Sequence, residues 1–242
     1  VPLPERTMST HAAAGWYGKL PILGDFAQRR LPAEFVAPWD AWLQQGIAGS
    51  RAALGDAWLD SYLTAHVWHF VLLPGVLGSH GWAGVWTPSV DRVGRYFPFT
   101  LAAPLPAAQA LGATSSALGV WLKGLEDIAR LGLQLEYDIA PLENALSALG
   151  PPPLDRHEAR TLAQVGERLA RRDTLIDLPP VGPAGLPGDC LDALATGSLL
   201  HQLAGYSAWW CYAADGTSGG FAHRSLPPPP FLLKMITYSP IA

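Results

Sequence analysis

Two short segments of the chain place charged side chains beside glycines, where the backbone can turn and present them. The six candidate residues are Lys19, Asp25 and Arg29 in the first segment and Asp91, Arg92 and Arg95 in the second. A carboxylate in a turn can accept a nearby backbone N–H, and a guanidinium can bind an anion through two donors. Neither segment sets a nucleophile beside a general base, so the pattern predicts a site that binds or braces rather than reacts.

Two interpretations of Arg95 stay open at the level of sequence. It can pair with Asp25 or Asp91 and so hold the second segment together, or it can bind an anion at the surface. We expect the two segments to lie close together and to build one polar site, to which Asp25 and Arg95 both contribute. Lys19, Asp25 and Arg29 would then form a surface patch that a partner contacts.

Motifs for nucleotide binding and hydrolysis are incomplete in this sequence. Gly18-Lys19 lacks both the earlier glycine and the following Ser or Thr of a phosphate-binding loop. Residues 216–220 match the G-x-S-x-G pattern, but the prolines at 227–230 exclude the helix into which a hydrolase elbow opens. The sequence therefore predicts no catalytic residues and no cofactor.

Metal binding has equally little support. His66 and His69 stand three residues apart, so on a strand they point to opposite faces, and no neighbouring Cys or Glu completes a zinc site. Cys190 and Cys211 are too few for a disulfide framework and are expected to be free thiols in a reducing compartment. We expect no bound metal.

Apolar residues at helical spacing predict the helices that must position these segments. The first helical face consists of Phe35, Trp39, Leu43 and Ile47, and Pro38 suits the first turn of that helix. A second helix is predicted over 51–63, and we expect Trp39 and Trp58 to be core residues. Later helices are predicted over 115–125, 155–169 and 189–203.

Runs rich in Val, Trp and Phe predict the strands. Three lie at 66–73, 81–86 and 96–103, and their connections are too short for crossover helices, so they should be antiparallel. Further candidates are 133–137, 208–212 and 231–236. Trp209 and Trp210 are adjacent, so one should face the core and the other the opposite side, where an exposed Trp could anchor a partner. Mixed helices and strands indicate an α/β or α+β protein, and of the two we expect α/β, with a mixed, partly antiparallel central sheet.

Composition narrows the class of protein further. Of 242 residues, 49% are apolar and 15% charged, which is typical of a globular chain, and a net charge of −4 disfavours nucleic acid as a partner. The stretch 61–90 has no charged residue, but its Pro and Gly residues break it into strand-length pieces, so we expect no membrane insertion. Val1 to Thr10 lacks an apolar core, so we expect no signal peptide.

Three motifs resemble a known family. They are GWYGKLPILGDF at 15–26, followed by Arg29 and Leu31-Pro32, then PSVDRVGRYFP at 88–98 and SAWW at 207–210. In this order and spacing they resemble the TagF (ImpM) family of bacterial type VI secretion, over residues 14–235. The resemblance implies a three-layer α/β/α sandwich in a single domain, 14–242, with 1–13 as an N-terminal extension outside the fold.

The resemblance also implies a function. Members are regarded as cytoplasmic, non-enzymatic accessory proteins that repress type VI secretion post-translationally by binding its forkhead-associated scaffold. Two alternatives stay open: a phosphate-chemistry enzyme using Asp25, Asp91 and Arg95, and a structural subunit of the apparatus. The candidate partner-binding residues are the six charged residues above together with Trp209 and Trp210, and the oligomeric state is open.

Overall fold

Short connections between consecutive strands determine the sheet. The computed structural model describes residues 13–105, 115–153, 198–199 and 202–239. The described strands are β1 (Gly15–Gly18), β2 (Ala27–Arg29), β3 (Trp68–Leu72), β4 (Gly81–Thr87), β5 (Phe99–Leu105), β6 (Tyr206–Tyr212) and β7 (Ser218–Arg224). They form a seven-stranded sheet in the order β2-β1-β5-β4-β3-β6-β7.

Every pairing between these strands is antiparallel. The predicted α/β class and the antiparallel β3, β4 and β5 are confirmed, whereas the predicted mixed sheet is wrong. For four of the six pairings the physical reason is that a parallel neighbour needs a crossover of a dozen or more residues, while β1–β2, β3–β4, β4–β5 and β6–β7 are joined directly.

The described helices differ from the predicted ones mainly at their ends. They are α1 (Ala33–Leu54), α2 (Trp58–Leu63), α3 (Ser115–Leu133), α4 (Ala140–Leu149) and α5 (Phe231–Ile236). Pro38 was expected in the first turn, but α1 begins five residues earlier and encloses it. The buried Phe35 explains the earlier start, because it docks the first turn of α1 against Trp82 of β4 and stacks on Trp39 one turn further along the helix.

Two predicted strands are wrong. Residues 133–137 form the end of α3 and the turn after it, and 231–236 form the short helix α5. Leu232, Met235 and Ile236 of α5 are buried at helical spacing, and Leu232 packs onto Gly46 of α1, where a Cβ would come within 2.7 Å of it. Packing against α1 thus selects the helix over a strand.

Both faces of the four strands β1, β5, β4 and β3 are buried. In β3, Trp68, Phe70 and Leu72 belong to a cluster with α1, α2 and α5, whereas Val71 belongs to a second cluster with α3 and α4. The alternation of side chains along a strand produces this division. It also explains the uncharged stretch 61–90, because strands covered on both sides read as continuous apolar runs.

The predicted core tryptophans are confirmed. Trp39 is fully buried, packs on Phe70 and Trp209, and donates its indole N–H to Thr100 Oγ1 at 3.0 Å. Trp58 is buried and stacks on Tyr62, with ring centroids 4.7 Å apart.

Several expectations lie outside the described residues. They are the helix at 155–169, residues 189–197 of the helix predicted over 189–203, and Cys190, whereas residues 198–199 and 202 of that second helix are described and are helical. Cys211 is buried and has a free thiol. The single domain 14–242 stays a prediction. Among the helices that the structure describes, none has the length and apolar character needed to cross a membrane.

Candidate functional site

The two charged segments become loops at one end of the sheet. β1 ends at Gly18, and β4 ends at Thr87, and both residues pair with Phe99 at the start of β5. The loop 19–26 after β1 and the loop 88–98 after β4 therefore lie side by side. We call these two loops the junction.

Direct hydrogen bonds join the two loops. Ser89 Oγ donates to the carbonyl of Lys19 at 2.7 Å, and the Arg92 amide donates to the carbonyl of Leu23 at 2.9 Å. Gly18, with φ +128°, permits this approach, because a Cβ there would lie 2.1 Å from the Pro98 carbonyl oxygen. The expectation that the two motifs lie close together is met by these contacts.

Asp91 is the buried centre of the junction. Its Oδ2 lies 2.9 Å from Lys19 Nζ and 2.7 Å from Arg95 Nε, while its Oδ1 accepts the amides of Val93 and Arg95 at 3.1 and 2.9 Å. Burial alone would raise the pKa of Asp91, but these hydrogen bonds and the Lys19 charge outweigh it and hold that pKa well below its usual range. Asp91 is thus an ionised carboxylate whose acceptor sites are filled.

Arg95 closes the junction from the solvent side. Besides its contact with Asp91, its Nη2 donates to the carbonyl of Gly24 at 2.5 Å and lies 3.4 Å from Asp25 Oδ1. Asp25 is well exposed, and its Oδ1 also accepts the Phe26 amide at 2.8 Å. Of the two interpretations that the sequence left open, the structure has Arg95 paired with both Asp91 and Asp25.

The outer surface of the junction carries two exposed guanidinium groups and two exposed apolar side chains. Val93 is 64% exposed and Phe26 is 44% exposed, and both Arg92 and Arg95 reach solvent. Phe26 packs edge-on against Phe97, with centroids 4.7 Å apart, and Lys19 Nζ lies 4.8 Å from its ring centroid. Sequence reasoning missed Val93 and Phe26, although an aliphatic residue between Arg and Gly in a turn is a usable signal for an exposed contact.

Tyr62 is a further residue that sequence reasoning missed here. Its hydroxyl accepts the Ser89 amide at 2.9 Å and donates to the Ser89 carbonyl at 3.0 Å. Burial raises the pKa of Tyr62, so the phenol stays protonated and keeps both bonds. Helix α2 therefore braces the second loop of the junction through one side chain.

Arg29 lies away from the junction. It sits on β2, with its Nη1 3.5 Å from Glu143 Oε1 of α4, and Glu143 also binds Arg30 at 2.5 Å and the Trp16 indole at 2.7 Å. Burial opposes ionisation of Glu143, but the bonds from Arg30 and Trp16 prevail and lower its pKa. Arg29 thus helps to fasten the sheet edge to α4, and the expected patch of Lys19, Asp25 and Arg29 does not form as one unit.

The two adjacent tryptophans point to opposite faces of the sheet, as predicted. One of them is buried, so it cannot be a contact residue. Trp209 is buried against Trp39 and Phe221 and donates to Ser207 Oγ at 2.8 Å, so its proposal as a partner-binding residue is wrong. Trp210 faces the other side and is half-buried. It lines an apolar cleft of about 250 Å³ between α3 and β6, together with Val71, Leu122 and Leu203.

Comparison with known proteins identifies the family. Residues 15–149 match the TagF N-terminal domain, described as type VI secretion system-associated. The solved structures that match include PA0076 from Pseudomonas aeruginosa PAO1, at 36% identity over 93% of this chain and 94% of that chain, with a TM-score of 0.71. The chain belongs to the TagF family. No curated protein sequence matches it.

The TagF match contains the whole junction, since both loops fall within 15–149, whereas β6 and β7 lie beyond it. The site built by Lys19, Asp91 and Arg95 is therefore part of the TagF N-terminal domain itself. The structural likeness to PA0076 extends over nearly the whole chain.

A second polar centre of this TagF chain lies under α3. His69 Nε2 is 2.8 Å from Glu126 Oε2, and Lys123 and Arg130 approach the same carboxylate at 3.1 and 2.8 Å. Burial raises the pKa of Glu126, yet the bonds from His69, Arg130 and Lys123 lower it to about 2. The described part of the chain contains no group of three His, Cys, Asp or Glu residues arranged to hold a metal.

Proposed function

We propose that this chain is a non-enzymatic regulatory protein of type VI secretion that binds a protein partner through the junction. The observation that carries the proposal is the state of Asp91, whose oxygens are occupied by Lys19, Arg95 and two backbone amides. A carboxylate held in this way orders a loop but cannot take a proton or a metal during a reaction. The exposed groups around it are suited to contact with another molecule.

The partner that we propose is the forkhead-associated scaffold of the type VI apparatus, with repression acting post-translationally in the cytoplasm. Membership of the TagF family supports the link to type VI secretion, and the resemblance described above supports the role. We further propose that the sheet and the helices on its two faces are the three-layer α/β/α sandwich, within one domain over 14–242.

The enzyme alternative would use Asp25, Asp91 and Arg95 for phosphate chemistry. Metal-assisted phosphoryl chemistry needs carboxylates that converge on open coordination positions. Asp25 is exposed, but Asp91 is buried and filled, and Arg95 already contacts both carboxylates. This geometry favours binding over reaction. A role as structural subunit would instead show as a stable, stoichiometric place in the purified apparatus.

A binding measurement tests the proposal directly. Purified chain and purified forkhead-associated scaffold should form a saturable complex of fixed stoichiometry by isothermal titration calorimetry, and excess chain should lower secretion in cells. An absence of complex up to about 100 µM of each protein, in calorimetry and also in analytical ultracentrifugation, which does not depend on heat, would exclude any but a very weak complex. Turnover of a phosphorylated peptide by the purified chain would instead favour the enzyme alternative.

A further inference from the structure

The junction separates into an inner brace and an outer surface. Lys19 and Asp91 are buried and neutralise each other, whereas Arg92 and Val93 form the tip of the second loop and stand in solvent. The side chain of Arg92 forms no ion pair with any residue that the structure describes. The inner pair therefore holds the loop, and the outer residues are available for contact.

The tip is built in one conformation before any partner arrives. Asp91 and Arg95 bond through their backbones at 3.0 Å, the Gly94 amide donates to the Asp91 carbonyl at 3.0 Å, and the Arg92 amide is tied to Leu23. Gly94 has φ +86°, a turn geometry that favours glycine. The backbone of such a loop loses little further entropy on binding, which raises affinity.

The charge of the junction identifies the kind of partner. It carries three cations and two carboxylates, a net charge of +1, in a chain whose net charge is −4. Because Lys19 is neutralised by Asp91 and Arg95 contacts Asp25, Arg92 is the cation left without a carboxylate among the described residues. A partner complementary to this surface supplies a carboxylate at Arg92 and an apolar contact at Val93.

We propose that Arg92 and Val93 are the contact residues of the junction, with Phe26 as a second apolar contact, and that they dock an acidic protein surface carrying a carboxylate beside a shallow apolar depression. The inference rests on the proposed function, and it names the partner's chemistry at that site. Inner residues such as Lys19 and Asp91 are positioning residues that hold this surface in shape.

Charge reversal at the tip tests the inference. Affinity of the purified scaffold is measured for the wild type, Arg92→Glu and Val93→Asp, with Arg224→Glu on β7 and Val120→Asp on α3 as matched exposed controls. Each tip variant should bind at least about tenfold more weakly, whereas the controls should stay within about twofold. Melting temperatures are recorded for all of them, and Arg92→Gln and Val93→Ser replace any tip variant that melts early.

Salt provides a second readout. Wild-type affinity should fall as NaCl rises from about 50 to 300 mM, and the fall should be smaller for Arg92→Gln. If the wild type binds the scaffold and either tip variant binds it with unchanged affinity, this inference is overturned and the proposed function stands. Failure of the wild type itself to bind would overturn the proposed function, and this inference with it.

Discussion

Asp91 and Glu126 are both buried carboxylates surrounded by cations, yet they hold different parts of the molecule. Asp91 receives two amides of its own loop as well as Lys19 and Arg95, so it determines the shape of that loop. Among the described residues, Glu126 is bonded by side chains alone, from His69 on β3 and from Lys123 and Arg130 on α3. The pKa of each is lowered by its partners against the effect of burial.

The two carboxylates show that a similar lowering of pKa can accompany different structural roles. A carboxylate bonded to backbone amides fixes the path of the chain and thereby places neighbouring side chains at the surface. A carboxylate bonded to side chains on a helix and a strand fastens two elements together. We therefore expect changes at Asp91 to alter partner binding and changes at Glu126 to alter stability alone.

A change in the core should have a larger effect on stability than a change at either carboxylate. Trp39→Ala removes a fully buried indole and its bond to Thr100, and should lower the free energy of unfolding by about 3–5 kcal/mol. Urea unfolding followed by far-ultraviolet circular dichroism measures the loss. A loss below about 1 kcal/mol would mean that α1 packs on the sheet differently from the arrangement described here.

Asp91→Ala should have the next largest effect on stability, and it should also abolish partner binding. The change leaves the buried Lys19 ammonium without its carboxylate and removes the acceptor of two loop amides, so the melting temperature should fall by roughly 5–10 °C. Binding to the scaffold should be lost even below that temperature. Asp91→Asn is the control, because it retains an acceptor oxygen and should lose less of both properties.

Glu126→Gln should lower the free energy of unfolding by about 1–3 kcal/mol at neutral pH and leave scaffold affinity unchanged. The contribution of a depressed pKa is present above the unfolded value of 4.5 and is lost as pH falls towards about 2. The stability difference between wild type and variant should therefore shrink across that interval. A variant that binds the scaffold poorly at pH 7 while fully folded would break the comparison between the two carboxylates.

Asp25→Ala should have the smallest effect. Asp25 is 78% exposed and lies 3.4 Å from an exposed Arg95, so its removal should change the free energy of unfolding by less than about 0.5 kcal/mol. Scaffold affinity should change by less than about threefold, because Asp25 is not one of the two tip residues. The measurement is the scaffold affinity of Asp25→Ala by calorimetry, compared with that of Arg92→Gln. Equal losses of affinity in the two variants would show that the contact surface includes Asp25.

Much of the candidate site was predictable because it depends on interactions between residues close together in the chain. Asp91 in a turn with Gly94 follows from the preferences of single residues, and the pairing of Arg95 with Asp91 was one of the two interpretations considered. The burial of Asp91 and Lys19 was not predictable, since these two residues are 72 apart along the chain and their loops meet only in the fold, at Gly18 and Pro98. Arg29 was misplaced for the same reason, because its partner Glu143 lies on a distant helix.

The sequence by itself determined which segments are apolar at helical spacing, which strands are joined too closely to be parallel, and that Trp209 and Trp210 face opposite ways. These features depend on neighbours within a few residues, where geometry is nearly fixed. Only the tertiary structure decided that 231–236 is a helix, because Leu232 docks on Gly46 of α1, and that Trp209 is the buried member of its pair, because β6 pairs with β3 in the register that sets Trp209 opposite Phe70. Such choices depend on contacts between residues far apart in the chain, and no local pattern carries that information.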